Sequence, residues 1–400
     1  MTLKYISFSL LMAGTLLGGC SEQDRQNTAI FDSAKQAYNN QNYEEAFSSL
    51  KPLAEDGDAA AQLLVGDMYA SGQGIETDLD KSIKWVEQAA ESGLKEAQYS
   101  LGVSYLVGRG IPQDYSSAYE WFKKSADQNY AKAQFQVGLM LESGSGIEQN
   151  LDQALKYFRD AAEQGNVEAQ NTIGMIYLEG KSVPQNVETA FQYLNSAAEG
   201  GDKRAQYLVG FQLLQKPDPT PQEMERGVNF LKSASAQGYD KAQLILGFLY
   251  FHGKGVEQNE QKAAELYYLA AEQGNEQAAE RYKRLAEESS PENLWKLGKL
   301  YAGGVGLQQD DEKASAIYLL AAEQGSALAQ YAIGRAFAMG RGVEQDYVKA
   351  HMWTNLSAAS GVDKAIEDRE TYSRLMTPEQ IASAQKMARE WINRQNPNSK

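Results

Sequence analysis

One short pattern, Ala-Gln-x-x-(Leu/Val/Ile)-Gly, recurs along this chain at a nearly constant interval. Its glycines are Gly66, Gly102, Gly138, Gly174, Gly210, Gly247, Gly298 and Gly334. Successive glycines lie 36, 36, 36, 36, 37, 51 and 36 residues apart, so one unit has been copied eight times with a single large insertion. A repeat of this length is typical of a solenoid of stacked helix pairs, and such proteins bind other proteins far more often than they catalyse reactions.

The second copy illustrates why each unit predicts two helices. Leu101 and Tyr105 are four residues apart with Gly102 beside them, which suits a first helix that another helix crosses closely. A Gly-Arg-Gly-Ile turn then breaks this helix. Asp114 is the predicted N-cap of a second helix, whose apolar stripe is Ala118, Trp121, Phe122, Ser125 and Ala126. We expect Trp121 and Tyr105 to lie in the interior of the repeat.

The same helix-ending residues recur in the other copies. Glycine, or asparagine once, can adopt the left-handed conformation that closes a helix, and it stands at Gly93, Asn129, Gly165, Gly201, Gly238, Gly274, Gly325 and Gly361. Further N-caps are predicted at Asp78, Asn150, Asn186, Asn259, Asp310 and Asp346. Local chemistry and periodicity therefore agree on a helix hairpin in nearly every copy.

Four submotifs recur in register: Ala-Gln-x-x-Leu-Gly-x-x-Tyr, Gly-x-Gly-Val, Asp-x-x-Lys-Ala and Ala-Ala-Glu-Gln-Gly. The sixth copy carries nearly all of them, at 242–243, 246–247, 250, 253–256, 261–263 and 270–274. Together they resemble the Sel1-like repeat, a relative of the tetratricopeptide repeat, over residues 55–361. The resemblance implies an all-α fold, a right-handed α/α solenoid used as an adaptor, often in bacterial envelopes. It implies no common substrate, no cofactor and no shared catalytic residue.

The predicted organisation has a targeting segment, the repeats and two caps. It comprises a signal peptide (1–19), an acylated cysteine with a polar tether (20–28), a capping hairpin similar to a tetratricopeptide repeat (29–54), six repeats (55–274), an inserted helix (275–290), two repeats (291–361), C-terminal capping helices (362–393) and a disordered tail (394–400). Thr377 to Gln380 has the N-cap, first-turn proline and glutamine of a capping box.

The first twenty residues predict membrane targeting. Lys4 precedes an apolar core at 5–17 that is too short for a permanent membrane span. The sequence Leu-Gly-Gly-Cys at 17–20 resembles a bacterial lipobox, which implies lipidation of Cys20, the only cysteine in the chain. Because Ser21 follows, the resemblance implies an outer-membrane lipoprotein that faces the periplasm. An ordinary signal peptide with an incidental cysteine is the alternative.

Composition limits the partner and the chemistry. The formal net charge is −15, which argues against nucleic acid as a partner because phosphate contacts need a basic surface. This charge favours solubility, or alternatively a basic partner. The two histidines, His252 and His351, are far apart in the sequence, and no second cysteine or His-Glu-x-x-His cluster supplies metal ligands. We therefore predict no metal, no cofactor and no enzymatic activity.

In each copy, the residues two before and two after the motif leucine lie four apart on the first helix and therefore share one face. By similarity to tetratricopeptide repeats, this face lines a concave groove in which a partner would bind. The predicted partner-binding residues are Tyr99, Phe135, Leu139, Met175, Tyr207, Phe211 and Phe248, followed by the basic Lys299 and Arg335. Aromatic residues and methionine are favoured at interface centres. The alternative is that these side chains pack between neighbouring repeats.

Two departures from the repeat are further candidate binding sites. In the fifth copy a proline-rich turn at 216–221 replaces the glycine loop and is expected to protrude as a contact loop, since proline forbids helix continuation. The segment 276–289 is predicted to be an extra helix bearing Ala279, Tyr282 and Leu285-Ala286. It would offset the last two copies and form a bend or a second binding face, or lie as a neutral insertion on the outer side.

Three functions remain in order of preference. The first is a lipoprotein adaptor that holds a protein or peptide partner in the groove. The second is a structural spacer in an outer-membrane secretion or polysaccharide-export assembly, and the third is a cell-wall hydrolase. The sequence identifies neither the partner nor the oligomeric state.

Overall fold

The computed structural model describes residues 22–180, 183–287 and 290–395. Within these ranges the chain forms 21 α-helices and no β-strand, which confirms the all-α prediction. It divides into two compact units, Met1–Ile173 and Gly174–Lys400. Each unit stacks helices so that those adjacent in the chain pack together.

The first unit contains α1 (Glu22–Asn39), α2 (Tyr43–Glu55), α3 (Ala59–Ser71), α4 (Leu79–Glu91), α5 (Lys95–Val107), α6 (Tyr115–Asp127), α7 (Ala131–Ser143), α8 (Leu151–Glu163) and the beginning of α9 (Val167–Glu179). The second unit contains the end of α9 and then α10 (Val187–Glu199), α11 (Lys203–Leu214), α12 (Pro221–Ala236), α13 (Asp240–His252), α14 (Glu260–Ala271), α15 (Glu276–Glu287), α16 (Pro291–Gly303), α17 (Asp311–Glu323), α18 (Ala327–Met339), α19 (Tyr347–Ala359), α20 (Asp363–Ser373) and α21 (Pro378–Gln395).

The helix ends lie where the sequence predicts them. The side chain of Asp78 accepts a hydrogen bond of 2.9 Å from the backbone N–H of Lys81, and the predicted caps of α6, α8, α10, α14, α17 and α19 bond in the same way. After α4, Gly93 has φ of 92°, and after α6, Asn129 takes the same left-handed conformation with φ of 60°. These caps satisfy backbone groups that a helix end would otherwise leave without partners.

The motif glycine allows the two helices of a repeat to cross closely. A Cβ atom at Gly102 in α5 would lie 2.7 Å from the ring of Phe122 in α6, closer than real Cβ contacts occur. Phe122 is completely buried. Trp121 and Tyr105 are only half-buried at the edge of this core, so the prediction that they form the interior was wrong. The close crossing at Gly102 gives the interior position to the neighbouring ring.

Buried glutamines join neighbouring repeats. Gln98 of the Ala-Gln motif donates from Nε2 to the carbonyl of Ala90 (3.2 Å) at the end of α4. Its Oε1 accepts from Nε2 of Gln128 (2.8 Å), which caps α6. The same pairing joins Gln134 to Gln164, Gln206 to Gln237 and Gln243 to Gln273. We call this series the glutamine ladder.

The ladder lacks its second member in three copies, in one of which Gly200 stands 30 residues after Gln170. The Oε1 atoms of Gln62 and Gln330 are buried and have no hydrogen-bond partner among the described residues. The residues 30 positions later, Ser92 and Ser360, cap α4 and α19 where the complete copies carry glutamine. Serine is too short to reach the acceptor, and its hydroxyl bonds its own helix instead.

The insertion forms the predicted extra helix, α15. Ala279, Tyr282 and Ala286 are completely buried against α14 and α16. The loop between α16 and α17 packs on the start of α15, where a Cβ at Gly306 would lie 2.9 Å from the side chain of Ala279. The insertion is therefore part of the hydrophobic core of the second unit and does not lie on the outer side of the repeats.

The termini of the described chain are helical. Because α1 begins at Glu22, the predicted polar tether at 20–28 is helical from that residue onward. At the other end, Thr377 and Gln380 form the predicted capping box, with hydrogen bonds of 2.8 and 3.3 Å. Arg394 belongs to α21, so the predicted disordered tail begins as helix, and 396–400 lie outside the described residues. The predicted signal peptide and Cys20 also lie outside them.

Candidate protein-binding face

The predicted partner-binding residues lie on the first helices of their repeats, and we call the surface that they form in each unit the first-helix face. All seven apolar members are half-buried: Tyr99, Phe135, Leu139, Met175, Tyr207, Phe211 and Phe248. The two basic members, Lys299 and Arg335, are exposed. A half-buried side chain contributes to packing within the array, in agreement with the packing alternative, and the partner-binding role stays a prediction.

In the first unit the rings contribute mainly to packing. Tyr99 contacts Phe122 and Tyr130, with centroid distances of 5.5 Å to each. Phe135 contacts Phe158 at 5.7 Å. These are inter-ring distances at which aromatic pairs attract each other, so both positions tie one helix to its neighbours. Leu139, which has no ring partner, lies one turn further along α7.

An acidic side chain in the first repeat departs from this apolar pattern. Asp67 occupies in α3 the position that Leu139 occupies in α7, and it is half-buried. Burial raises the pKa of its carboxyl group to about 6, and the positive charge of Arg109 opposes this shift. Arg109 also donates to the carbonyl of Ala70 at 2.9 Å, which fixes it close to α3. The first unit therefore begins with a carboxyl group that titrates near neutral pH.

In the second unit the rings contact one another and neighbouring cations. Tyr207 stacks on Phe211 at 5.8 Å and contacts Tyr239 at 5.3 Å. Phe248 contacts the ring of His252 at 4.3 Å, and the cations of Lys254 and Arg281 each lie 5.5 Å from its centroid. Phe211 and Phe248 thus offer apolar edges on adjacent first helices, α11 and α13, which contact each other.

Lys299 belongs to a polar cluster next to these rings. Its Nζ atom donates to the hydroxyl of Tyr268 (2.9 Å) and to Glu272 (3.1 Å). The same ammonium group lies 5.1 Å from the ring centroid of Trp295. The hydroxyl of Tyr268 donates to Glu272, so the carboxylate accepts from both neighbours. The cluster holds the cation in a defined place at the protein surface.

Arg335 has a similar but looser environment on α18. Its guanidinium carbon lies 5.7 Å from the ring centroid of Tyr331, and its Nε is 3.9 Å from a carboxylate oxygen of Asp368 in α20. A pair at that distance is weak, and the arginine side chain is 48% exposed. Arg335 therefore keeps donors available for another acceptor.

The inserted helix and the proline-rich turn present less apolar surface to a partner than the first-helix face does. The inserted helix lines a cleft of about 420 Å³ with Glu280 and Lys283, opposite Asp310 and Lys313. Each lysine pairs with the acid of its own helix, so the cleft presents no surface of one charge. The turn at 216–221 is largely exposed, and Lys216 bonds to Glu223 at the start of α12, which restrains it.

The histidines lie in unrelated surroundings. His252 is exposed beside Phe248, whereas His351 is buried in α19, where burial lowers its pKa and favours the neutral ring. Among the described residues, no group of three or more histidine, cysteine, aspartate or glutamate side chains could hold a metal ion. None of the helices in the described ranges is both long and apolar enough to cross a membrane.

Three features of this surface were missed from the sequence. Arg281 reaches Phe248 from the inserted helix, and Tyr268 with Glu272 holds Lys299. These contacts depend on how α15 and α16 pack, which periodicity alone does not specify. The glutamine ladder left a sequence signal, since the two glutamines of a complete pair recur 30 or 31 residues apart.

Comparison with known proteins supports the reading of the repeats. The family model described as Sel1 repeat matches residues 59–94, 95–130, 131–166, 167–202, 203–239, 240–275, 294–326 and 327–362, which is more than half of the chain. No curated protein is significantly similar to the chain.

Two solved structures are similar in both sequence and fold. One is a protective antigen present in uropathogenic Escherichia coli strains, displaying an SLR fold; it is 27% identical, with a TM-score of 0.55, over 93% of this chain and 85% of that one. The other is a Sel1 repeat protein from Oxalobacter formigenes; it is 30% identical, with a TM-score of 0.52, over 60% of this chain and 96% of that one.

Proposed function

This chain belongs to the Sel1 repeat family, and on that basis we propose that it is an adaptor that holds a protein or peptide partner on its first-helix face. Proteins built from such repeats generally act as protein-binding scaffolds and not as catalysts. The face supplies what interface centres use, namely aromatic edges on a rigid helical support.

One observation carries the proposal. Phe211 and Phe248 lie on α11 and α13, which contact each other, and both rings remain partly accessible within an otherwise close-packed unit. Tyr207 supports Phe211 from one side, and two cations flank Phe248. A partner segment that covers both rings would bury apolar surface without a rearrangement of the helices.

The adaptor is further proposed to be an outer-membrane lipoprotein that faces the periplasm. The support is the lipobox-like sequence that ends at Cys20, together with Ser21 after it. A lipid-anchored adaptor would hold its partner close to the membrane, where the effective concentration of that partner is high.

Crosslinking in membranes followed by affinity capture and mass spectrometry tests the adaptor role. We expect one defined protein to be captured, and capture by a Phe211→Ala/Phe248→Ala variant to fall by about tenfold or more. The melting temperature of this variant should fall less than that of a Phe122→Ala variant, because both rings are half-buried whereas Phe122 is completely buried. Leu320→Ala is the matched control, since Leu320 is 46% exposed on α17, outside the face.

The remaining outcomes distinguish other functions. A folded double variant that still captures the partner would place binding elsewhere and contradict the proposed face. A chain that captures no defined protein would favour the structural spacer. A large loss of melting temperature would show that the two rings are core residues.

A further inference from the structure

The second unit carries a strip of cations that lie over aromatic rings. We call it the basic strip; its members are Lys254, Arg281, Lys296, Lys299 and Arg335. Lys254 and Arg281 each lie 5.5 Å from the ring centroid of Phe248. Lys296 and Lys299 lie 5.3 and 5.7 Å from the centroid of Tyr268. Arg335 lies 5.7 Å from the centroid of Tyr331. Cation–π contact of this kind holds long, flexible side chains in place.

The strip continues the apolar part of the first-helix face. Arg281 lies over both Phe248 and Tyr267, at 5.5 and 6.0 Å, and so connects α13 with α14. Lys299 then lies between Tyr268 of α14 and Trp295 of its own helix. Since α16 contacts α18, the row of cations extends to the last repeat.

The strip brings together five cations in a chain whose formal net charge is −15. Two carboxylates compensate it in part, Glu272 beside Lys299 and Asp368 beside Arg335. Among the described residues, no acid lies within ion-pair distance of Lys254, Arg281 or Lys296. The strip therefore places five cations, with two neighbouring carboxylates, directly beside an apolar surface.

We propose that the first-helix face of the second unit binds a peptide segment that is apolar at one end and acidic at the other. Its apolar side chains would cover Phe211 and Phe248, and its aspartates or glutamates would pair with the basic strip. The inference rests on the proposed adaptor function and specifies the chemistry of the partner.

An acidic peptide fits better than a polyanion such as nucleic acid or a sulfated glycan. The overall negative charge of the chain repels a long polyanion, whereas a short peptide interacts mainly with charges within about 10 Å. Glu272 and Asp368, which interrupt the strip, would further oppose a dense row of phosphates or sulfates. The adjoining apolar rings match a segment of mixed character and have no counterpart in a uniformly charged polymer.

Selection from a displayed library of random peptides on the immobilised full chain tests the proposal. We expect the selected peptides to combine apolar residues with aspartate or glutamate, and to bind more weakly as salt is raised. A Lys299→Gln/Arg335→Gln variant should bind these peptides at least about tenfold more weakly. The control is Lys386→Gln/Arg389→Gln, which removes two exposed cations of α21 outside the strip and should bind as the wild type does.

Because Lys299 and Arg335 pair with acids of the protein, their double variant could lose stability. Lys254→Gln/Lys296→Gln then provides the test, since these lysines make no ion pair among the described residues. Equal binding by this folded variant, or selected peptides without acidic enrichment, would overturn the inference. Competition by dextran sulfate would also overturn the inference, if dextran sulfate displaced the peptides at physiological salt and bound the strip variants more weakly than the wild type.

The inference and the proposed function fail in different ways. Peptides that lack acidic residues yet lose binding in Phe211→Ala/Phe248→Ala would leave the adaptor face intact and reject only the acidic partner. Peptides that bind all variants equally, or a selection that yields none, would reject both.

Discussion

At the scale of single residues, buried amides do much to define the contact between repeats. In the rung of Gln98 and Gln128, the glutamine of the first helix bonds the preceding helix end and accepts from the glutamine that caps the following second helix. Buried polar groups that lack partners are costly, so the pair fixes both the spacing and the orientation of neighbouring hairpins. This explains why Ala-Gln recurs at a position that an apolar residue would otherwise fill.

Completing the ladder should stabilise the protein. In a Ser92→Gln variant the new amide can donate to the unpaired Oε1 of Gln62, and we expect a gain of about 1 kcal/mol in the free energy of unfolding. Chemical denaturation of the first unit's transition measures it. Ser92→Glu is the matched control, because glutamate has a similar shape but no N–H donor and should give no gain. An equal gain for both variants would mean that the amide bond is not the cause.

Asp67 should make stability depend on pH. Its folded-state pKa of about 6 lies above the ordinary value of 3.8, so the folded state binds the proton more tightly. The unfolding free energy should therefore fall as pH rises from about 4 to about 6, by roughly 1–2 kcal/mol, because partial exposure reduces the effect. Asp67→Asn should flatten this slope and stabilise the chain at pH 7. An unchanged slope in denaturation curves from pH 4 to 7 would contradict the assignment.

At the scale of helices, the close crossing within a hairpin depends on the motif glycine, which faces a large ring in several copies. Gly102 faces Phe122 and Gly138 faces Phe158, and the same arrangement recurs with tyrosine rings at Gly247. Among the described helices, the main contacts join hairpins that are neighbours in the chain, so damage to one should spread over a short distance. The inserted helix α15 obeys the same logic, since it packs between α14 and α16.

Removing one such ring should have a local effect. Phe122→Ala should cost about 3–5 kcal/mol and leave a cavity opposite Gly102. We expect amide hydrogen exchange to accelerate most in α4 to α7 and to stay unchanged in α17 to α19. Tyr115→Ala on the same helix is the control, because Tyr115 is 45% exposed. Uniform acceleration over all helices would indicate one globally cooperative unit instead of coupling between neighbours.

At the scale of the whole molecule, charge and anchoring are separate from folding. The chain is acidic overall, but its second unit concentrates cations on the first-helix face. In the proposed adaptor, the general negative charge would favour solubility while the local patch would select the partner. The proposed lipid anchor would add a third property, attachment to a membrane.

The anchor is tested by Cys20→Ser. The substitution removes the thiol that would receive the lipid in the proposed anchor, and we expect the protein to leave the membrane fraction. Fractionation with immunoblotting measures the location of the protein, and intact-mass measurement detects the lipid. Ser21→Ala is the control that keeps the thiol. Sedimentation of Cys20→Ser with membranes after a high-salt wash, at unchanged mass, would contradict the lipoprotein proposal.

The sequence by itself determined the repeat, the all-α fold and the helix ends. These features depend on local chemistry. An aspartate or asparagine side chain, such as that of Asp78, caps the start of a helix, and a glycine such as Gly93 allows the left-handed conformation that ends one. The sequence also predicted which side chains line the first-helix face, although their partner-binding role stays a prediction.

Only the tertiary structure decided which neighbouring ring is buried, where the insertion packs and how the cations are held. Phe122, not Trp121, enters the core because helix crossing at Gly102 favours one of two adjacent positions. Arg281 meets Phe248, and Lys299 meets Tyr268, because α15 changes the order of packing after the sixth repeat. Such contacts join residues that are distant in sequence, and their free energy depends on burial and mutual orientation, which a one-dimensional pattern does not contain.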